Sequence, residues 1–324
     1  MAETKFPSCL TIGSKKTLVI GIGGGYDVYT CLPWFLQLSL EEQEHCVIGN
    51  YTFTDDIHKY TKDEDSYVAE IKPDTVRTMN NSQYFPELHL AQKLNRSIYA
   101  FRLMPCPMLI NILLEFVLEH QIEQMFLFDG GIDSIIFGDE GLVYGSPLED
   151  SQMIIACAAV ASKNNLPSVL VTSAVGIDDC DIKSYMNHWD LLTCANATYG
   201  KFKLTSDLPN FKTYEDICQT SDPSSIIQES IIAAANGILG LYLNPRLYPS
   251  RIADKNDLPL IREETSFLWF WDPVVLVEIS PFYQHMLKFL ELLNEKSPNE
   301  CWIHWNQYIT LFMEATPVSN KSDL

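Results

Sequence analysis

The chain has 324 residues, 47% hydrophobic and 20% charged, with a formal net charge of -20. That balance describes a globular protein of one large or two modest domains. It excludes partners held through massed Lys and Arg, namely nucleic acid and anionic membrane surfaces. No stretch reaches the roughly 18 apolar residues of a membrane span; the longest, Ile231 to Leu243, is interrupted by Asn236 and two glycines. The nine cysteines include no Cys-x-x-Cys pair. Several sit in apolar helix or strand patterns, as reduced thiols of a cytoplasmic protein do. The first apolar run, Thr17 to Ile20, is strand-length and too short for the core of a secretory signal.

In chain order, residues 1–16 are a polar lead-in. Lys16 to Gly21 reads as a strand that runs into Gly21-Ile22-Gly23-Gly24-Gly25-Tyr26-Asp27. Val28 to Leu40 predicts a helix, with Pro33 delaying or kinking its start. Cys46 to Phe53 is a second strand, followed by Thr54-Asp55-Asp56, and His58 to Asp65 is a charged surface loop. Tyr67 to Ile71 fits a strand and Phe85 to Leu94 a short helix. The alternation then becomes regular. Ile98 to Leu103 is a strand, and Pro105 and Pro107 open a helix with Leu109, Ile110, Leu113, Leu114, Val117 and Leu118 at helical spacing. Met125 to Phe128 is a strand. Ser146-Pro147-Leu148-Glu149 starts a helix, with Ser146 as cap and Glu149 placed to close a capping box. Ser168 to Ser173 is a strand, and Ile182 to Asn196 a helix.

Past residue 200 the pattern changes. Residues 200–222 and 244–264 read as loops. Asp222-Pro223 starts a helix that runs to about Asn236. Phe267 to Asp272 is a strand, and Ser280-Pro281 starts a helix with Phe282, Met286, Phe289, Leu290 and Leu293 on one face. Cys301 to Met313 is aromatic-rich and amphipathic. Four of the six tryptophans, Trp269, Trp271, Trp302 and Trp305, lie in this part and read as core or interface anchors. The fold class expected is α/β: a Rossmann-like, doubly wound, mainly parallel sheet with helices on both faces. It forms one domain over 1–324, with residues 200–324 as an integrated C-terminal helical and aromatic lobe or lid. An oligomer remains compatible with it.

In an open parallel sheet, ligands bind beyond the carboxyl ends of the strands. The loops Gly21–Asp27, Thr54–Asp56, Asp129–Glu140 and Val175–Asp181 all follow expected strands, so they should share one edge. The glycine loop meets Gly-x-Gly-x-x-Gly at Gly21 and Gly23, but Tyr26 takes the last glycine position. Its open readings are an anion site that uses Gly21, Gly23, Gly24, Gly25 and Asp27, or a tight turn with no ligand. Asp129-Gly130-Gly131-Ile132-Asp133-Ser134 is close to the Ser-Gly-Gly-x-Asp-Ser loop of ATP pyrophosphatases. Asp129 sets it apart, because an anionic side chain repels a pyrophosphate unless a metal intervenes.

Asp129, Asp133, Asp139 and Glu140 are the candidate catalytic carboxylates. They divide acid and base roles, or bind ribose hydroxyls, or hold Mg²⁺ or another divalent cation, with Asp133 and Asp139 as ligands. Gly130, Gly131, Ser134 and Ser146 are the further ligand-binding candidates. Asp150 and Ser151, one turn into their helix, face the same site or serve as capping residues. Asp178, Asp179 and Asp181 form an acidic wall or merely flank a helix start. No His-x-x-x-His pattern supports a zinc site.

Together, Gly21-Ile-Gly-Gly-Gly-Tyr-Asp-Val and Asp129-Gly-Gly-Ile-Asp-Ser-Ile-Ile-Phe-Gly-Asp-Glu, followed by Gly145-Ser-Pro-Leu-Glu-Asp-Ser, resemble a family of archaea and bacteria. It is a domain of unknown function, with a Gly-x-Gly-Gly-Gly-Asp type loop and a later Gly-Gly-x-Asp…Gly-Asp-Glu…Ser-Pro stretch. The chain departs from it at Tyr26, between the glycines and Asp27. The resemblance spans most of residues 17–295. It implies a Rossmann-like single domain and groups Gly23–Gly25, Asp27, Asp129, Asp133, Asp139 and Glu140 in one site, without supplying a reaction.

The function expected is an enzyme acting on a nucleotide, nucleoside or phosphorylated sugar by hydrolysis or group transfer. The alternatives are a non-catalytic nucleotide sensor or scaffold and a nicotinamide-dependent oxidoreductase. The partner expected is a small phosphate- or ribose-containing ligand.

Overall fold

The structure, a computed structural model, describes residues 6–54, 57–62, 66–77, 84–137, 147–177, 182–221, 225–241 and 260–292. Its elements in order are β1 (Thr17–Gly21), α1 (Leu32–Phe35), α2 (Leu40–Glu44), β2 (Cys46–Thr52), β3 (Val68–Ile71), α3 (Pro86–Leu94), β4 (Ile98–Arg102), α4 (Cys106–Glu119) and β5 (Gln124–Phe128). There follow α5 (Pro147–Asn164), β6 (Ser168–Thr172), α6 (Ile182–Cys194), β7 (Thr198–Lys203), α7 (Phe211–Gln219) and α8 (Ile226–Ala235). The last are β8 (Gly240–Leu241), β9 (Leu260–Ile261), β10 (Phe267–Trp271), α9 (Pro273–Ile279) and α10 (Pro281–Leu292).

Eight strands form one sheet in the order β3-β4-β2-β1-β5-β6-β10-β7, and β8 pairs with β9 in a small ribbon. The central five, β4 to β6, run parallel. β3 is antiparallel to β4, and β10 is antiparallel to both β6 and β7. This is the expected α/β, Rossmann-like, doubly wound arrangement. Among the described residues no helix is long and apolar enough to cross a membrane.

The strand sequences explain the layering. β1 is buried along its whole length, with Leu18, Val19 and Ile20 at its centre, because a central parallel strand is covered on both faces. Alternate side chains enter different cores. Leu18 and Ile20 join Met125, Leu127 and Leu170 on one side, while Val19 joins Phe126, Phe128, Val169 and Val171 on the other. α5 is buried nearly all round at Met153, Ile154, Ile155, Ala156 and Cys157, since it packs against α4, α9 and α10.

Three expectations change. The helix expected over Val28–Leu40 is a 3-10 turn at Asp27–Cys31 and the four-residue α1, with Pro33 in its first turn. Ser39 then caps a separate α2, closing a capping box with Glu42. Residues 200–222, read as a loop, hold the end of β7 and all of α7. The signal was there: Phe211, Tyr214, Ile217 and Cys218 recur at helical spacing and are buried. β7 carries its lysines on an edge strand, where charge discourages further pairing. α9 was also missed; Asp272 starts it by accepting from the amides of Val274 and Val275, with Pro273 at its first position.

The strand at residues 267–271 lies between β6 and β7, so the sequence past 200 completes the sheet itself. Trp269 and Trp271 are buried, as core anchors should be. The cap Ser146, residues 178–181, Asp55, Asp56, Asp222, Pro223 and everything past Leu292, Cys301–Met313 included, lie outside the described residues.

Leu127 is fully buried at the centre of the sheet. Leu127→Ala is expected to cost about 2–5 kcal/mol of unfolding free energy. A fall in the urea midpoint with an unchanged denaturant slope is the signature of that loss.

Candidate functional site

The parallel strands β1, β2, β5 and β6 put the loops that follow them on one edge. β1 has β2 on one side and β5 on the other, so the gap beyond β1 and β5 is where the strand order reverses, the usual ligand crevice of such sheets. The hydrogen-bond ladder continues past the strand ends. Ile22 donates to Phe128 O at 3.0 Å, Asp129 to Val171 O at 2.9 Å, and Ser173 to Gly131 O at 3.0 Å. The loops thus start from fixed backbone positions beside one another.

Three carboxylates meet there. Asp27 comes from the end of the glycine loop, Asp129 from the end of β5 and Asp150 from the first turn of α5. Each offers an oxygen, and these oxygens lie within 4.8 Å of one another. Asp129 and Asp150 are buried and Asp27 is half-buried. Asp129 is held from within its own loop: Oδ1 accepts from the Gly131 amide at 2.6 Å, and Oδ2 accepts from the amide and hydroxyl of Ser134. The Gly23 amide donates to Asp27 Oδ2 at 2.5 Å. Asp150 Oδ1 is buried with no hydrogen-bond partner.

Glycine is required where the backbone closes on these groups. A Cβ on Gly23 would collide with the carboxylates of Asp150 and Asp27, and one on Gly130 would come within 2.7 Å of Asp27 Oδ1. Gly24, at φ +85°, turns the loop away beneath the ring of Phe53.

Burial pushes the Asp129 carboxyl up from its ordinary 3.8 to about 6, against the hydrogen bonds from Ser134 and Gly131 that favour the charged form. Asp150 is held well above its ordinary value, first by burial and then by the charges of Asp133, Asp129, Asp27 and Glu149. Glu149, expected to close a capping box, is buried in the same turn.

The surroundings brace the loops. Tyr283 of α10 donates to Ser134 O at 2.7 Å and Ser280 to Ile136 O at 2.5 Å. Gln228 of α8 reaches Tyr26 O at 3.4 Å and Thr30 Oγ1 at 2.9 Å. Asn50 donates to Gly25 O at 3.1 Å and to Glu87 Oε1 at 2.7 Å, while Thr54 donates to Glu87 Oε2 at 2.7 Å. Burial raises the Glu87 carboxyl.

Of the residues singled out from sequence, Asp27, Asp129, Gly23, Gly130, Gly131 and Ser134 are thus brought together. Gly21 ends β1, and Gly25 lies against the Tyr84 hydroxyl. Asp133 is half-buried and close enough to act on Asp150 by charge. Among the described residues, the group gathered closely enough to share an ion is Asp27, Asp129 and Asp150; of the expected ligand pair Asp133 and Asp139, the second lies outside the described residues. Asp139, Glu140 and Ser146 lie outside the described residues, as do Asp178, Asp179 and Asp181. Asn50 and Glu87 carried no sequence signal, because each is an isolated polar residue in an apolar segment.

No protein-family model, curated protein or solved structure matches this chain.

The raised Asp129 value has a pH signature. A carboxyl whose folded value exceeds its unfolded one binds more protons when folded, so its contribution to stability falls as pH rises from about 4 through 6. In cation-free buffer, the stability of the parent protein relative to Asp129→Asn is therefore expected to decline across that window. Urea unfolding at several pH values reads the slope, and a difference that instead grew with pH would contradict the burial argument.

Proposed function

We propose that the chain is an enzyme that uses a divalent cation, held by Asp27, Asp129 and Asp150, to act on a small phosphate- or ribose-containing molecule by hydrolysis or group transfer. The observation that carries this reading is the buried, partnerless Oδ1 of Asp150 facing two other carboxylates at the strand-order reversal. Leaving a buried charge uncompensated costs several kcal/mol, and three carboxylates this close repel one another. A hard cation with oxygen ligands answers both problems and suits Mg²⁺ or Ca²⁺. A phosphate oxygen or water on such a cation is polarised for attack.

The residues then take distinct roles. Asp129 is oriented by Gly131 and Ser134, and Asp27 is fixed by the Gly23 amide. Asp133, half-buried beside the cluster, is the carboxylate placed to exchange a proton with substrate or water. The glycine loop favours this reading over a nicotinamide cofactor. The Gly23 amide that would face a pyrophosphate is occupied by a carboxylate, and a short 3-10 turn replaces the long helix whose positive end stabilises such an anion. The family resemblance of the two loops agrees with a shared site but adds no reaction.

The test is calorimetric titration of the full chain with Mg²⁺, Mn²⁺ and Ca²⁺, followed by thermal shifts with nucleotides and sugar phosphates. Asp150→Asn should weaken cation binding at least about tenfold, near 1.4 kcal/mol, while raising the melting temperature in chelator, because the folded chain no longer has to hold a proton that the unfolded chain releases. Affinity should also climb as pH passes 6, since the cation displaces the Asp129 proton. Unchanged cation binding in both Asp150→Asn and Asp27→Asn would overturn the assignment. Where a ligand binds, its recovery unaltered after long incubation with cation would replace the enzyme by a sensor.

A further inference from the structure

A cavity of about 510 Å³ opens beside the β3–β4 edge of the sheet and the C-terminal half of α4. It is within the size range of small-molecule sites, and its chemistry differs from that of the aspartate cluster. Its aromatic residues form one cluster: Tyr99 lies edge-on to Phe116 at 5.1 Å between ring centroids, and His120 packs 4.9 Å from Tyr99 and 4.1 Å from Phe116. Three carboxylates line the cavity from the same elements: Glu70 sits opposite Tyr99 in the β3–β4 pairing, and Glu115 and Glu119 flank Phe116 on α4.

The charges do not cancel. Glu115 and Glu119 lie one helical turn apart, where like charges destabilise a helix by a few tenths of a kcal/mol. Neither makes an ion pair among the described residues. Glu70 has Lys72 at 3.7 Å and accepts from the Ser97 hydroxyl. Among the described residues, Lys62 is the only lysine or arginine on the lining. Burial lowers the His120 imidazole, which keeps it neutral near pH 7, and raises the Tyr99 phenol with help from the Glu70 and Glu119 charges. The cavity therefore joins a surplus of anions to electron-rich ring faces. The aromatic rings here already attract cations, for the Arg102 guanidinium stacks 5.1 Å from the Tyr67 ring at the same rim.

We propose that this cavity binds a small organic ammonium ion, with Glu115 and Glu119 supplying the counter-charge and the half-buried Tyr99, backed by Phe116, the ring face. Alkylammonium groups are matched by that pairing, since the charge meets carboxylate while the carbon skeleton lies on the aromatic cluster. A hydrated metal ion, which holds its water and prefers oxygen ligands, would gain little from the rings.

The experiment titrates the full-length chain with spermidine and with tetramethylammonium, using calorimetry and Mg²⁺-saturated buffer so that the aspartate cluster is already occupied. Saturable binding of at least one amine is expected. It should weaken about tenfold in the doubly substituted Glu115→Gln/Glu119→Gln chain and in Tyr99→Leu, the size of a lost cation–π or paired-charge contact. Glu278→Gln, exposed and on a different helix, removes one negative charge without touching the cavity and should bind as the parent does. Failure of both amines to bind would overturn the proposal. So would equal weakening in Glu278→Gln, which would mean that general charge draws the amine. Circular dichroism of each variant separates lost binding from lost folding: a Tyr99→Leu chain that fails to fold leaves the exposed glutamate pair to decide.

Discussion

The parallel pairing of β1 with β5 is the constraint on which the rest of the structure depends. Register aligns Gly21 with Phe128, and the ladder then runs on to Ile22. Two chain segments more than a hundred residues apart therefore leave the sheet side by side, in the same direction. Because the backbone hydrogen bonds are satisfied up to that point, the next residues have little freedom over where they start. The loops that carry Asp27 and Asp129 start side by side for that reason, and no side-chain attraction between them is needed. α5 follows β5 and brings Asp150 back over the same gap. The packing of α5 into the core at Met153, Ile154 and Ile155 fixes the depth at which Asp150 sits.

What the backbone brings together, electrostatics pushes apart. Three carboxylate oxygens within 4.8 Å repel one another, and burial removes the water that would screen them. The structure offsets this only in part. Asp129 has three donors from its own loop and Asp27 has the Gly23 amide, but Asp150 Oδ1 has none. Bracing comes from distant sequence: α8 through Gln228, α10 through Tyr283, and the buried Glu87 through Asn50. Those contacts hold the loops in a repulsive arrangement that they would otherwise relax. The sequence beyond residue 200, expected as a lobe or lid, thus supplies a strand of the sheet and supports behind the acidic loop.

Much of this was legible in the sequence because parallel sheets announce themselves through uninterrupted apolar strands separated by helix-length segments. Thr17–Gly21 and Ser168–Thr172 could hardly be anything else. Strand direction alone then predicted a shared edge for the loops, and Asp27 and Asp129 do meet there. Sequence could not rank the carboxylates. Asp133 and Asp129 look equivalent in Asp-Gly-Gly-Ile-Asp, yet a tight turn aims one into the cluster and leaves the other beside it. Asp150 read equally well as a helix-capping residue, since acidic residues gather in first turns for reasons unconnected with any ligand. Asn50 and Glu87 were invisible because a single polar residue in an apolar run becomes meaningful only when its partner, 37 positions away, is known. α7 was lost to the polar residues around it, although its apolar spacing was regular.

The position of Asp150 decides between two opposing influences. A carboxylate in the first turn of a long helix is favoured by the helix dipole, by roughly 0.3–1 kcal/mol and up to about 2 kcal/mol when partly buried. Burial and four neighbouring acidic groups act the other way, and they prevail, because the group is held well above its ordinary value. Without a counter-ion the cluster must therefore keep protons that isolated aspartates would have lost. The dipole is then an aid that becomes effective only when something positive replaces those protons, at which point dipole, cation and carboxylates act in the same sense. In the function proposed, proton and cation would compete for one set of oxygens. The backbone geometry that makes the site costly to ionise is the same geometry that would make a divalent ion bind tightly there.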